Sequence, residues 1–407
     1  MNTDTLTVRK QALFELLKIG IGTSEGDFDF SSLSEEDWFA VMDESLTQTV
    51  GLLCFDSVGK ISAKLPQNVY DKWLKSALGY MASAQKHKKA ENKLTALLIA
   101  NNISYVILKG NSSASYYPDP EKRANGDVDF IVKPEELEKT KQLLCDNGYD
   151  LKPDLSDIHY ELTYDGMEIE LHKRISGIPE GKLGDLFKDT LSDIVEEGQL
   201  SNGGCSVPSD YHHGIVIFLH TLHHMLSCGI GIRQLCDWAC FVNSTLERDF
   251  WNEKMLPLLK STGTYVFACA LTEACVQNLN IKRPDWCVGV TADQCDSLME
   301  EIYRSGNFGR KIENNKTANS MFAKNGKKLT FFGKIAQLFR SLNETNKKVY
   351  PVLNKAPYLY PFIMVYRIIR YLILMLIGER KSLAELSRDA SEKNSFFLKY
   401  DLYKTQE

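Results

Sequence analysis

Two stretches, His159–Tyr164 and Met167–His172, alternate polar and apolar residues on either side of Asp165-Gly166. An Asp-Gly pair between alternating segments favours a two-residue turn and therefore a tight antiparallel hairpin. Period two then places Glu168, Glu170 and His172 on one face of the second strand and Met167, Ile169 and Leu171 on the other. The apolar set faces a core. A polar face carrying two acids and an imidazole restricts the chain to folds in which that face meets solvent, a cation or a ligand.

Further strands are predicted just upstream. Ile103–Leu108 is β-branched and apolar and ends in Lys109-Gly110, followed by the small polar residues Asn111-Ser112-Ser113, a pattern of strand, tight turn and short helix. A second apolar run, Val128–Val132, begins after Gly126, and Pro134 opens a helix that stops near Asn147-Gly148. Outside this segment the spacing is helical. Trp73, Ala77, Tyr80 and Met81 recur at three and four positions, Ser34 precedes a helix at Glu35–Met42, and Ser209 precedes helices at Tyr211–Ser227 and Ile232–Val242. The order of elements predicts an α+β, mainly helical fold, with a small mixed β-sheet core flanked by N- and C-terminal helical regions. The boundaries expected are a helical region at 1–102, a catalytic core at 103–175, a helical domain closing the cleft at 176–320, and a basic region with an apolar helix at 321–407.

With 407 residues, 43% hydrophobic and 25% charged, and a mean hydropathy of −0.25, the chain reads as soluble and folded rather than disordered. The N-terminus lacks an apolar signal-peptide core, and ten cysteines contain no CxxC pair, so reduced, packed thiols and a cytoplasmic location are expected. Cys236 and Cys240 lie one turn apart in an apolar run and read as packing thiols rather than a zinc site. The net charge of −5 conceals an asymmetry. Residues 321–381 hold 12 Lys or Arg against Glu344 and Glu379, leaving about −15 elsewhere, which suggests a basic surface for an anionic partner.

In Asp127-Val128-Asp129 the carboxylates lie two apart on a strand, so both point to one face. Mg²⁺ prefers such oxygen ligands together with substrate phosphates. Glu170 brings a third acid if the hairpin lies beside the Asp127 strand, and three close carboxylates need a cation to stay ionised. Two ions, Mg²⁺ or Mn²⁺, would polarise a phosphoryl group and activate a hydroxyl. At Lys109-Gly110-Asn111-Ser112 a glycine turn can present backbone amides to phosphates, with Lys109 neutralising charge, or it is an ordinary turn with a solvated lysine. Arg123 can hold a phosphate or pair with Asp119 or Glu121. His172 can touch phosphate or an acceptor, or support Glu170. His220, His223 and His224 read more readily as a packed or half-exposed cluster than as metal ligands. Arg233 and Asp237, at i and i+4, read most simply as a helix ion pair.

The ordered set Ile107-Leu108-Lys109-Gly110, Arg123, Gly126-Asp127-Val128-Asp129-Phe130-Ile131-Val132 and Ile169-Glu170-Leu171-His172 resembles a bacterial nucleotidyltransferase family with a polymerase-beta-like catalytic core, some members of which lie near surface-polysaccharide genes. The close resemblance covers about Ser104 to Arg174. It implies that Asp127, Asp129 and Glu170 bind the metals and that the turn at Gly110 holds the nucleotide phosphates. The chain departs from the superfamily's commoner turn in having Asn111 directly after Gly110 and Ser112 one later. The Tyr116-Tyr117-Pro118-Asp119-Pro120 insertion before Asp127 is expected to shape the pocket.

The reaction expected is transfer of a nucleoside monophosphate from a nucleoside triphosphate (NTP) to a hydroxyl acceptor, with release of pyrophosphate. The acceptor is open among sugar, lipid-linked sugar, protein and RNA. A metal-dependent glycosyltransferase using a nucleotide sugar and a non-catalytic nucleotide-binding scaffold at the membrane surface are the alternatives. No stable nucleic-acid partner is expected, since the chain is acidic overall and carries no recognised binding module. Leu359–Ile377 is very apolar but is interrupted by Arg367 and Arg370, which makes it a poor transmembrane span. Its stripe of Phe362, Val365, Ile369, Leu372 and Leu376, flanked by basic residues within 347–381, suits packing on the protein's own helices, a partner, or the inner face of a membrane.

Overall fold

The computed structural model describes residues 3–61, 64–154, 156–179, 181–201, 203–311, 350, 352–376, 385, 388, 395 and 398–403. The fold is α+β and mainly helical. Helices α1 (Thr3–Gly20), α2 (Glu35–Thr47), α3 (Gly51–Val58) and α4 (Gln67–Ala100) lead into a five-stranded sheet. Ser34 caps α2 in a reciprocal capping box with Asp37, which satisfies orphan amides of the first turn. Trp73 and Ala77 of α4 are buried as their spacing predicts, whereas Met81 is exposed. The middle of this long helix therefore runs across solvent before its last turns return to the sheet.

The sheet is built from β1 (Tyr105–Ile107), β2 (Val128–Val132), β3 (Asp150–Leu151), β4 (His159–Tyr164) and β5 (Met167–His172), in the order β1-β2-β5-β4-β3. One-turn α5 (Asn111–Ala114) follows β1, and α6 (Leu137–Asp146) follows β2 after a 3₁₀ turn at Pro134–Glu136. Asp165 and Gly166 both take positive φ (50° and 73°), the conformation that a two-residue hairpin with native twist requires. The sheet is mixed. β2 runs parallel to β5 with Asp129 opposite Glu170, while β1–β2 and β4–β5 are antiparallel. Its apolar face, including Phe130, Leu162, Ile169 and Leu171, packs with Leu94 and Leu98 of α4. Each such buried side chain contributes about 1.5–3 kcal/mol, and together they fix which face is left for chemistry.

After the sheet come α7 (Lys182–Thr190), the small ribbon β6 (Gln199–Leu200) and β7 (Ser206–Val207), and the helices α8 (Asp210–Ser227), α9 (Ile232–Thr245), α10 (Leu256–Ser261), α11 (Tyr265–Leu279) and α12 (Ala292–Ser305). Side chains of α1 to α3 share one apolar core with those of α8, α9, α11 and α12. The helices before and after the sheet thus close on each other, and the sheet rests against them with its polar face toward α8. Cys236 and Cys240 are buried in this core as thiols.

A C-terminal helix, Tyr360–Leu376, turns Met364 inward and exposes Phe362, Val365, Tyr366, Ile369 and Ile373. No helix among the described residues is long and apolar enough to cross a membrane. Most of the basic run, residues 321–349 together with Arg380 and Lys381, lies outside the described residues.

Candidate active site

Alternation along β2 and β5 and their parallel register bring the three predicted acids together. Asp129 sits opposite Glu170, and Asp127 precedes β2 by one residue. One carboxylate oxygen from each of Asp127, Asp129 and Glu170 lies within 4.8 Å of the others. They open into a cavity of about 260 Å³ between the polar sheet face and helices α8 and α9. Gly177 (φ 84°) allows this closeness: a Cβ there would stand 2.3 Å from the carbonyl oxygen of Leu219 in α8.

Asp129 is almost wholly buried, at 1% exposure. Its Oδ1 receives Lys109 Nζ at 2.7 Å and His172 Nε2 at 2.8 Å. Its Oδ2 is buried with no hydrogen-bond partner among the described residues. Burial favours the protonated acid, but the Lys109 charge and the His172 hydrogen bond overcome it and hold this carboxyl well below the usual range. Burial likewise lowers the His172 pKa, yet the bonds to Asp129 and Glu170 prevail and raise it to about 9. The imidazolium then donates from both nitrogens, to Asp129 and, at 3.3 Å, to the carbonyl of Arg174. Of the two roles read for His172, the geometry displays the supporting one, exerted on Asp129 more closely than on Glu170 at 3.4 Å. Glu170 moves the other way: burial is the largest effect and raises its pKa, the His172 hydrogen bond opposes it, and the charges of Asp129 and Asp127 add to burial.

The turn after β1 is held from behind. Gly110 has φ 72° and ψ −116°, a conformation essentially confined to glycine, and a Cβ there would lie 3.2 Å from His87 Cε1. His87 of α4 bonds through Nε2 to the carbonyl oxygen of Asp127 at 3.0 Å, and the Asn111 amide donates to Glu91 at 2.9 Å. The Ser112 hydroxyl donates to the carbonyl of Ile107 at 2.5 Å.

Arg123 corrects the sequence reading. It pairs with neither Asp119 nor Glu121 but lies buried against Asp237 of α9, with Nε–Oδ1 at 2.7 Å and Nη2–Oδ2 at 2.9 Å. It also donates to Gly110 O and Asn125 Oδ1. Asp237 is therefore bonded across the fold, while the charge of Arg233 on its own helix also favours its ionised form, and it accepts in addition from Tyr117 at 2.8 Å. The Tyr116-Tyr117 insertion braces the site from behind in this way, Tyr116 donating to Asp210. Arg233 lines the cavity beside Asp127 and donates to Ala124 O at 3.4 Å. His220, His223 and His224 are ring-packed on one another and line the same cavity. Among the described residues they join no group with ligand atoms close enough to share an ion.

Sequence reasoning missed His87, Glu91 and His159. His159 stands opposite His172 across the hairpin, with Nδ1 3.2 Å from Glu170 Oε2. A signal for it existed: a two-residue turn at Asp165-Gly166 fixes that cross-strand pairing. His87 and Glu91 lie one turn apart on α4, but nothing local ties that helix to the Gly110 turn.

A family described as uncharacterised nucleotidyltransferase matches residues 34–280, which spans the whole sheet, the acids and helices α8 and α9. No curated protein matches the chain.

Proposed function

The chain belongs to the uncharacterised nucleotidyltransferase family, and from that premise we propose that it moves a nucleoside monophosphate from an NTP to a hydroxyl acceptor, using divalent metal held by Asp127, Asp129 and Glu170. The observation that carries this reading is the buried, unpartnered Oδ2 of Asp129 beside two further carboxylates. A hard oxygen donor set with one oxygen left over in a dry wall fits Mg²⁺ or Mn²⁺. Bound there, such an ion neutralises charge on the phosphates and makes the acceptor hydroxyl more acidic.

The chain's own residues account for the rest. In the transfer, the acceptor oxygen forms a bond to the α-phosphorus, the bond to the bridging oxygen breaks, and pyrophosphate leaves with that electron pair. A Glu170 oxygen not engaged by the metal takes the acceptor proton. Lys109 and His172 keep Asp129 ionised and fixed in direction, which is positioning rather than covalent chemistry. The Gly110 turn brings backbone close to the site. Family membership favours this reading over transfer from a nucleotide sugar.

The test is to incubate the protein with each labelled NTP, Mg²⁺ or Mn²⁺ and a cell extract, and to follow the label into an acceptor. Asp127→Ala/Asp129→Ala should abolish both transfer and metal-dependent NTP binding. Equal NTP affinity in that variant, with no metal dependence, would sink the proposal.

A second proposal concerns location. The apolar side of the C-terminal helix, with Phe362 at 71% and Ile369 at 52% exposure, faces outward, and Arg367 and Arg370 lie along one edge of it. An exposed apolar stripe edged by arginines, within the most basic part of the chain, is complementary to an anionic membrane surface on which it would lie flat.

A further inference from the structure

The side chains that the sequence offers to the phosphates are engaged inside the protein: Lys109 with Asp129, Arg123 with Asp237, and the Ser112 hydroxyl with Ile107. We infer that the polyphosphate of the nucleotide is received by the opposite wall of the cavity, by Arg233 of α9 together with His220 of α8. The inference rests on the nucleotide-binding reading above and adds to it the place of the phosphates.

Both residues line the cavity that contains the three acids. Arg233 enters from the first turn of α9, and its bond to Ala124 O sets its direction next to Gly126-Asp127. Its guanidinium is a planar fork whose donors match phosphate oxygens two at a time, and it stays charged at any working pH. Burial and then the neighbouring Arg123 charge disfavour its cationic form. Asp237 and Asp127 act against both effects, and an anion in the cavity adds its charge to theirs.

His220 complements it. Burial, followed by the Lys109 charge, keeps this imidazole well below its ordinary pKa and so neutral. Its Nδ1 is buried without a hydrogen-bond partner among the described residues. A neutral ring has one N–H to donate and one nitrogen to accept, so His220 can meet a phosphate oxygen without adding a further cation beside Arg233. The two walls then divide the work: carboxylates with metal on the sheet side, fixed donors on the helix side.

Inorganic tripolyphosphate, which lacks base and sugar, isolates this wall. Its affinity in the presence of Mg²⁺ is measured by calorimetry for wild type, Arg233→Ala, Arg233→Lys and His220→Phe, alongside nucleoside without phosphates. We expect Arg233→Ala to weaken tripolyphosphate and NTP at least tenfold and to leave nucleoside binding unchanged. His220→Phe should give a smaller loss of the same selectivity, and Arg233→Lys should recover part of the affinity. Wild-type tripolyphosphate affinity in folded Arg233→Ala overturns the inference. Should that variant not fold, Arg233→Lys decides, because a single ammonium that binds as tightly as the fork also overturns it. A wild-type protein that transfers nucleotide but does not bind tripolyphosphate refutes the phosphate wall alone. One that binds tripolyphosphate through Arg233 but transfers no nucleotide keeps the wall and refutes the proposed reaction.

Discussion

Lys109 Nζ lies 2.7 Å from Asp129 Oδ1, on the same oxygen that His172 reaches, so the segment after β1 is tied to the acid near the start of β2. Both partners are largely out of water, at 16% and 1% side-chain exposure. Removing one partner of a buried pair leaves the other uncompensated, at a cost of about 3–5 kcal/mol, though His172 retains part of the compensation here. We expect Lys109→Met to lower the thermal midpoint in chelator, with millimolar Mg²⁺ restoring part of the loss. Melting curves with and without metal check this. A midpoint equal to wild type in chelator would show that the pair contributes nothing to the metal-free fold.

The Arg123–Asp237 pair gives a pH signature. Burial raises the Asp237 pKa, but the Arg123 guanidinium, joined by the Arg233 charge and the Tyr117 hydrogen bond, more than reverses the effect, so the folded carboxyl titrates below its ordinary value. A depressed folded pKa means stability that is present above the unfolded pKa, about 3.9, and is lost as pH falls through the lower folded value. The window is therefore from about pH 4 downward. Asp237→Asn should destabilise at neutral pH, by about 3–5 kcal/mol, because Arg123 loses its counterion. It should also make stability fall less steeply with acid than in wild type. Denaturant titrations at neutral pH and across the acid limb check both, and an unchanged acid slope would contradict the assignment.

The hairpin was legible in the sequence because a two-residue turn fixes register locally, and that register also places His159 opposite His172. The strand after Gly126 was legible for a similar reason, an apolar run with a clear start. The pairing of Asp129 with Glu170 was foreseen only as a condition, since a parallel pairing is set by the whole sheet and not by any turn between its strands. Arg123 and Asp237 lie further beyond local reading. Helical spacing offers Arg233 as the nearer partner, whereas the fold brings Arg123 across from 114 positions away. The roles of His87 and Glu91 stayed hidden because they depend on where α4 crosses the Gly110 turn.

That crossing makes Gly110 a sensitive position. Its φ of 72° with ψ of −116° suits no side chain, and a methyl group would also press on His87. Gly110→Ala should cost about 1–3 kcal/mol through backbone strain and weaken NTP binding as the turn shifts. His87→Ala in the same chain should relieve the contact but not the strain, so the double variant should recover little stability. Full recovery would mean that crowding, and not φ, is why glycine stands there.

The C-terminal helix supplies a prediction separate from catalysis. Phe362, Val365, Tyr366, Ile369 and Ile373 recur at three, four and seven positions, the spacing of one helical face, yet that face is exposed while Met364 turns inward. A helix packed only on its own protein would show the reverse. Binding to anionic vesicles is expected to be strong at low salt and to weaken as salt rises, because the arginines and the basic run contribute through screened charge. Phe362→Asp/Ile369→Asp should abolish co-sedimentation at every salt concentration, and Arg367→Gln/Arg370→Gln should reduce it chiefly at low salt. Neither pair should alter NTP binding, since the helix contributes no residue to the cavity between the sheet and α8. Vesicle binding unaffected by the aspartates, or absent from wild type, would place the exposed stripe against a protein partner instead.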